Sequence, residues 1–494
     1  MNVILKIKSL LLVLVCFSML SCESWLQVKS EDRIMEDNLY NNPEGFMTAL
    51  NGIYIDLMNR SLYGQSLIQP FDIMAQCYNC RQDEHVYRGL ATYDPGARQS
   101  AASSGIWRRA YFLLANINTL LEHCESDRGV LNDQYYHVIK GEALALRAML
   151  HFELFRIYGP IYSEDKEVDC IPYATSSEPV MLSLSKASVV VEKITNDLTE
   201  AEKLLEGYDP VITEGPLFSE EEGGASNAMR YRQVRLNYYA VLGLTARAAL
   251  YFGDKEKAFN YASKVIKEAQ EDNAWFPFVT GDAATASGVE DRVYMTEILF
   301  GMYNLKRTQL YYEASFSSSL GETAVLRVNP DIQKIVYEGD VNDYRNSYWF
   351  QDMKDPDNNN TRHFIKYMGQ DKAGTESSSP DHFYMVPLIR ISEMYYIAAE
   401  CCPDPVKARE YLNTVRNARN IAKIPDEAEL MPYIEKEYRK EFIGEGQLFW
   451  FYKRLFKKEL PSGTIVGEKI PMEKSFYLFS LPQSEMDYRG ENQK

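Results

Sequence analysis

Wherever the chain shows a clear pattern of apolar and polar positions, the spacing is helical. Trp107, Tyr111, Leu114 and Leu121 recur at steps of three, four or seven, as do Ala143, Leu146, Leu150, Leu154 and Ile157. Such steps gather apolar side chains into one stripe that packs against a neighbouring helix. Gly159-Pro160 stops the second of these helices, because proline has no N–H for the helical ladder and disfavours helical backbone before it. Short β-like runs are confined to 297–301 and 476–481, the latter closed by Pro482. They are too few for a large sheet, and the pattern predicts a mainly α fold.

An internal repeat sharpens that expectation. Ala248, Ala249, Asp254, Lys257, Ala258, Tyr261 and Val265 find ungapped counterparts in Ala398, Ala399, Asp404, Lys407, Ala408, Tyr411 and Val415. Small alanines let two helices approach, the aspartate marks the turn between them, and the tyrosine fills the groove between pairs, which is the logic of tetratricopeptide-type hairpins. Leu144, Arg147, Ala148 and Phe152 line up in the same way with Leu244, Arg247, Ala248 and Phe252. Helical pairs of this kind bury their faces by stacking into an α-α superhelix. Between the helical blocks, 59–105, 207–230 and 351–382 read as long irregular stretches, the last containing Asn358-Asn359-Asn360 and Ser377-Ser378-Ser379. Loops of that length are commonly functional or disordered.

The amino end carries a different signal. Lys6 and Lys8 precede an apolar run from Leu10 to Leu20, followed by Ser21-Cys22. This is the layout of a secretory signal, and the run is well short of the ~20 residues that cross a bilayer as a helix. The expectation is a signal peptide over 1–21 and a processed chain over 22–494. Met19-Leu20-Ser21-Cys22 resembles a bacterial lipobox, with Met in place of the more usual Leu. That resemblance implies a diacylated Cys22, which would hold the protein at a membrane. The formal net charge is −17, and removing Lys6 and Lys8 makes it two units more negative. Nucleic acid is therefore excluded as a partner, since phosphate contacts need clustered Lys and Arg. Beyond Cys16 and Cys22 the cysteines are Cys77, Cys80, Cys124, Cys170, Cys401 and Cys402, too few for a disulfide scaffold of this size.

Several constellations invite chemistry. Glu437, Glu441 and Glu445 fall at i, i+4 and i+8, and paired carboxylates suggest glycoside hydrolysis. They stand among Lys436, Arg439, Lys440, Lys453 and Arg454, and structural ion pairs are the expectation. Cys77 and Cys80 form a C-x-x-C with His85 nearby, but a tetrahedral zinc site needs four ligands and no second pair exists; a local disulfide or two free thiols is expected, with no metal. Cys401-Cys402 falls at a hairpin turn and reads as packing. No G-x-S-x-G elbow, Walker loop or dinucleotide fingerprint occurs, so neither an enzyme nor a cofactor is expected. Glu220-Glu221-Glu222 reads as a solvated acidic run.

The positive clue is aromatic. The chain has 35 Tyr against 22 Phe and 5 Trp, and a tyrosine offers a flat apolar face with a hydroxyl at its edge, suited to stacking on a sugar ring. Two loop clusters qualify as walls of a binding groove: Tyr78, Arg81, Asp83 and Tyr87, and Tyr303, Tyr311 and Tyr312. Tyr261 and Tyr411, by contrast, occupy helix-packing positions, and Trp275-Phe276, Trp349 and Trp450 read as core.

Taken in order along the chain, these segments resemble the SusD/RagB family. The resemblance rests on the lipobox start, a helix opening at Trp107 and running through Ala115-Asn116-Ile117-Asn118, and Leu146-Arg147-Ala148 leading to Tyr158-Gly159-Pro160. It continues through Glu297-Ile298-Leu299-Phe300, Leu388-Ile389-Arg390-Ile391-Ser392-Glu393-Met394-Tyr395 and Tyr411-Leu412-Asn413-Thr414-Val415-Arg416. It is clearest at Glu437-Tyr438-Arg439-Lys440-Glu441-Phe442, Gly444-Glu445-Gly446, Phe449-Trp450 and Lys453-Arg454-Leu455, with a closing strand at Pro482. The resemblance implies a single domain over 22–494, with an N-terminal part about 22–230, a C-terminal part about 290–494, and four tetratricopeptide-like pairs. It further implies a lipoprotein at the outer membrane of Bacteroidetes-type bacteria, facing the cell exterior. Such a protein sits as a lid over a SusC-like TonB-dependent transporter and delivers oligosaccharides, or in some members peptides, for import. A helical-repeat scaffold for surface proteins is the remaining alternative. The family's ligand sites lie in variable loops, so no ligand residue carries over from a motif.

Overall fold

Helix α1 (Pro43–Leu57) begins where the sequence supplies a start signal: Asn42 caps it by accepting the Gly45 N–H at 2.9 Å, and Pro43 stands in its first turn. It buries Phe46, Leu50, Ile53 and Leu57 against α2 (Ser104–Ser126). The chain then forms α3 (Asp133–Tyr158) with α4 (Ala187–Leu205), α5 (Tyr238–Tyr251) with α6 (Lys255–Val265), and α7 (Ile391–Cys401) with α8 (Pro405–Ala418). In this computed structural model residues 39–216, 229–369 and 380–491 are described. The signal segment, Cys22, Glu220-Glu221-Glu222 and Ser377-Ser378-Ser379 lie outside the described residues.

The helices stack in chain order. α2 packs on α3, α4 on α5 and α6 on α7, so each pair covers the apolar face of the next. Four tetratricopeptide-like pairs result, and the fold is mainly α. The sequence repeat has a physical meaning at each matched residue. Asp254 and Asp404 are the N-caps of α6 and α8, accepting the N–H groups of Lys257 at 3.0 Å and Val406 at 2.9 Å. Tyr411 lies between pairs, its ring 6.3 Å from Phe259 and 6.1 Å from Tyr395, and the Tyr261 hydroxyl donates to Glu202 on α4 at 2.6 Å. The repeated arginines tie one helix to another: Arg147 grips Asp197 through two 2.7 Å bonds, and Arg247 grips Glu393 at 2.7 and 2.6 Å. Bidentate pairing of this kind fixes orientation as well as distance.

The strands are few. β1 (Ile298–Tyr303), foreseen at 297–301, pairs antiparallel with β4 (Met385–Arg390), Tyr303 opposite Met385. Between them β2 (Phe350–Lys354) and β3 (Asn360–Phe364) form a hairpin that the reading of 351–382 as irregular missed. Its turn is built by the Asp355 carboxylate, which accepts the N–H groups of Asp357 at 3.0 Å and Asn359 at 2.8 Å, while Asn358 adopts φ +63°. The expected closing strand at 476–481 is instead a 3-10 turn, Lys474–Tyr477, that buries Tyr477. Residues 59–105 are not a free loop either. They hold the short helices Gln69–Met74 and Pro95–Ala101 and bury Leu62, Tyr63, Leu67 and Phe71 in a core cluster that reaches from Tyr40 to Phe479. Trp349, Trp450 and Phe276 belong to that cluster, as expected, with Trp275 packed at its edge. No helix among the described residues is long and apolar enough to cross a membrane.

Candidate functional site

The three glutamates singled out for chemistry lie deep inside. Glu437 and Glu441 sit on one face of α9 (Leu430–Glu441), but the helix ends there. Glu445 falls beyond it, in a turn where Gly444 and Gly446 take φ +80° and +69°. A Cβ on Gly446 would lie 2.8 Å from the Ile68 Cα, so both the backbone conformation and the space demand glycine. The turn is held by Asp72 of the helix Gln69–Met74, whose carboxylate accepts the Gly444 N–H at 2.7 Å and the Gly446 N–H at 3.0 Å.

Every one of these carboxylates is answered by cations. Glu437 meets Arg345 at 2.9 Å, Arg416 at 2.5 Å and Lys440 at 3.0 Å. Glu441 meets Arg345 at 2.8 Å, Arg419 at 2.6 Å and also Arg390. Glu445 meets Lys366 at 2.6 Å and Arg390 at 2.7 Å. Glu297 closes the set through two bonds to Arg419 at 2.7 and 2.6 Å. Burial by itself would raise the Glu437 carboxyl, but Arg345, Lys440 and Arg416 outweigh it and hold the group down to about 2. Burial is likewise overcome at Glu441, which Arg419, Arg390 and Arg345 hold well below the usual carboxylate range. Glycoside hydrolysis needs one carboxyl kept protonated beside the scissile bond. Glu437 and Glu441 are ionised, all four groups are paired and sealed, and their work is to lock α9 to β1, β4 and α8.

The structure brings the two tyrosine clusters together, but largely as packing. The segment after Tyr78 runs beside residues 315–327, with the Asn79 N–H donating to the Arg327 carbonyl at 2.7 Å and the Val86 N–H to the Thr323 carbonyl at 2.9 Å. Tyr78 is 1% exposed, its ring 5.5 Å from Phe316 and its hydroxyl donating to Asp72 at 3.4 Å. Tyr311 is buried with its hydroxyl on the Tyr63 carbonyl and its ring 5.1 Å from Tyr367. Both line an enclosed space of about 10 Å³, room for little more than one water. Tyr312 is buried with its hydroxyl 3.5 Å from the Met353 sulfur. The expectation that Tyr78, Tyr311 and Tyr312 offer open rings is therefore corrected: their hydroxyls find internal partners, and their faces are covered. Of the others, Arg81 pairs with Glu468 at 2.8 Å, Tyr87 is half-buried, and Asp83 is exposed, 3.4 Å from Arg88.

Tyr303 stands apart. It is 45% exposed at the end of β1 and borders an open depression of about 540 Å³. Its ring lies 5.4 Å from Tyr384 and its hydroxyl donates to Asp381 at 3.4 Å. Burial and Asp381 push the phenol up to about 12, so it is a neutral donor at physiological pH. Ile55 and Leu305, 76% and 71% exposed, supply apolar rims. Tyr54, Asn51, Arg235, Asn304 and Lys306 line the depression as well. Tyr54 is fixed from behind: its hydroxyl donates to Glu142 at 2.7 Å and accepts the Leu236 N–H at 2.9 Å. Glu142 in turn pairs with Arg232, which grips Asp209. The Arg235 guanidinium lies 4.7 Å over the Tyr54 ring and donates to the Asn51 side chain. Asn51, Tyr54, Arg235 and Asn304 escaped the sequence reading, because they come from α1, the turn before α5 and the end of β1, which only the fold brings together.

Cys77, Cys80, Cys124, Cys170, Cys401 and Cys402 are all free thiols, so the C-x-x-C pair is not bridged. The His85 ring contacts the Val325 carbonyl at 3.3 Å and the Tyr87 N–H at 3.2 Å, so both nitrogens are engaged within the protein. Burial pushes the Cys80 thiol well up, which opposes thiolate chemistry.

Two family profiles match in tandem. The one described as "Starch-binding associating with outer membrane" covers residues 25–211, and the one described as "SusD family" covers residues 261–489. SusD-like protein P38 of Formosa agariphila is 23% identical over 511 residues, covering 92% of each chain. SusD-like protein P25 of the same organism is 24% identical over 170 residues, a stretch that spans only 32% of that relative and 32% of this chain. Among solved structures, a SusD superfamily protein from Bacteroides thetaiotaomicron superposes with a TM-score of 0.69 at 20% identity, covering 90% of this chain and 98% of its own. A SusD-like carbohydrate binding protein from Bacteroides vulgatus gives a TM-score of 0.66 at 22% identity, covering 90% and 96%.

Proposed function

The chain belongs to the SusD/RagB family, and on that premise we propose that it captures oligosaccharides in the depression beside Tyr303 and hands them to a SusC-like TonB-dependent transporter for import. The observation that carries this reading is the depression itself: about 540 Å³, open, with an exposed ring, apolar rims and side-chain amides. A sugar ring presents C–H faces to aromatic and aliphatic surface and hydroxyls to amide groups, and this lining offers both kinds of contact. Relatives described as starch-binding or carbohydrate binding support the same ligand class. Diacylation of Cys22 would hold the protein at the outer membrane, facing the cell exterior.

Isothermal titration of the processed protein against an oligosaccharide panel and a peptide pool tests the ligand. Saccharide binding is the expected result, and heat from peptides alone would overturn it. Substituting Cys22→Ala in the producing cell should move the protein from the membrane fraction to the soluble fraction. Retention in the membrane would remove the lipid anchor from the proposal.

A further inference from the structure

The depression reverses the sign of the molecule around it. The chain has 70 Asp and Glu against 53 Lys and Arg, yet the charged residues lining this wall are Arg235 and Lys306, with no carboxylate among them. Two of the three acids nearby are already paired. Glu142, behind Tyr54, is paired with Arg232 at 2.7 Å and Asp56 on α1 is paired with Arg109, whereas Asp381 accepts from the Tyr303 hydroxyl and has no cationic partner among the described residues. Among the described residues Arg235 and Lys306 have no carboxylate partner. Arg235 is also short of acceptors: one terminal nitrogen donates to Asn51, and Nη1 is buried with no hydrogen-bond partner. The stack on Tyr54 and the bond to Asn51 fix the guanidinium, whose edge on the depression can receive a planar or tetrahedral oxyanion, while Nη1 stays buried and unanswered. Leaving it so costs stability, because an unsatisfied donor on a charged group loses its hydration without return.

We infer that the depression binds acidic oligosaccharides, with Arg235 and Lys306 receiving a uronate carboxylate or a sulfate ester while Tyr303 stacks on a sugar ring. This rests on the proposed capture of saccharides at the same site and narrows it to one chemical class. Arg235 is the specificity-determining residue, since its geometry is fixed by Tyr54 and Asn51. Lys306, on the exposed turn after β1, adds field without fixed geometry.

Titration calorimetry with a tetragalacturonate, a sulfated carrageenan tetrasaccharide and maltotetraose tests this. At least one acidic probe should bind ten times or more tighter than maltotetraose, and its affinity should fall as salt rises. Whichever acidic probe prevails identifies the oxyanion. Arg235→Gln should weaken that probe roughly tenfold, as expected for a charged hydrogen bond, and Lys306→Gln about two- to threefold. Each should weaken maltotetraose by a smaller factor than it weakens the acidic probe, since both residues line the same depression. Lys306 is exposed, so its variant reports even where Arg235→Gln folds poorly. Equal binding of neutral and acidic probes, or acidic binding untouched by both substitutions, overturns the inference while leaving saccharide capture standing. A failure of all three saccharides removes saccharide capture as well. Tighter binding of an oligoglutamate peptide, lost in Arg235→Gln, would keep the anion site but reject its saccharide class.

Discussion

The buried end of α9 and the open depression beside Tyr303 use the same side-chain chemistry to opposite ends. Each combines arginine, carboxylate or amide groups and aromatic rings. Around Glu441 three guanidinium groups converge on one carboxylate, all of them essentially without solvent exposure. Beside Tyr303 the guanidinium of Arg235 is half-buried, rests on Tyr54 and keeps an N–H unanswered. What separates structure from function here is access and saturation rather than residue type. A saturated network can only be broken, whereas an unsaturated wall can take something more.

The largest effect should come from breaking the saturated region. Glu441→Ala leaves Arg345, Arg390 and Arg419 with positive charge and fewer partners in a dry interior, and a loss of about 3–5 kcal/mol is expected. Denaturant unfolding measures it, and a loss below about 1 kcal/mol would mean that water reaches the network. The same region sets an acid limit. The folded-state Glu437 carboxyl is held at about 2, below its ordinary value of 4.5. Its contribution to stability is therefore fully present above about pH 4.5 and is lost as pH falls towards 2. Glu441, displaced in the same direction, steepens that fall. A flat stability profile between pH 5 and 2 would contradict the pairing.

Next in size is the joint between the two ends of the chain. Asp72 holds the N–H groups of Gly444 and Gly446, so Asp72→Ala orphans two buried donors. About 2–4 kcal/mol should be lost, read by the same unfolding experiment. Retention of full stability would show that the Gly444–Gly446 turn stands without this contact.

The fold was legible where packing writes itself into local spacing. Ala248, Asp254 and Tyr261 recur as Ala398, Asp404 and Tyr411 because each hairpin needs a small contact residue, a cap and a groove filler at fixed offsets. The expectation of ion pairs at Glu437 and Glu441 was met mostly by partners the sequence did not point to. Of the basic residues nearby in the chain only Lys440 pairs with Glu437, and Arg345, Arg390, Arg416 and Arg419 come from other elements. Where long-range partners decide, the sequence is silent. Tyr78 and Tyr311 look like loop tyrosines until Asp72 and the Tyr63 carbonyl bury them. The β2–β3 hairpin hid behind an asparagine-rich turn that reads as irregular chain. Of the tyrosines named in advance, Tyr303 alone lines the depression. Asn51 and Arg235 had no local mark, since each acquires its role from a segment far away in the chain.

In the open region the expected effects move from stability to affinity. Tyr303→Ala removes a ring that is 45% exposed and lies 5.4 Å from Tyr384, so unfolding should change by less than about 0.5 kcal/mol. Saccharide affinity should fall about tenfold, or about 1–2 kcal/mol, as for an aromatic anchor in a binding site. A variant that lost stability but kept its affinity would place Tyr303 with the buried region and undo the contrast.

The smallest expected effect tests the edge of the comparison. Asp83 and Tyr87 stand on the segment beside residues 315–327, and neither lines the depression. Asp83 is almost fully exposed and its 3.4 Å contact with Arg88 is itself solvent-facing, so Asp83→Ala should leave stability within about 0.5 kcal/mol. Tyr87 is half-buried beside His85, and its loss should cost little more. If the depression is where cargo rests, the double substitution Asp83→Ala with Tyr87→Ala should change saccharide affinity less than about twofold, far below the effect of Tyr303→Ala. A tenfold loss would move cargo onto this second edge, because residues that neither line the depression nor support its walls can weaken binding that strongly only by touching the ligand.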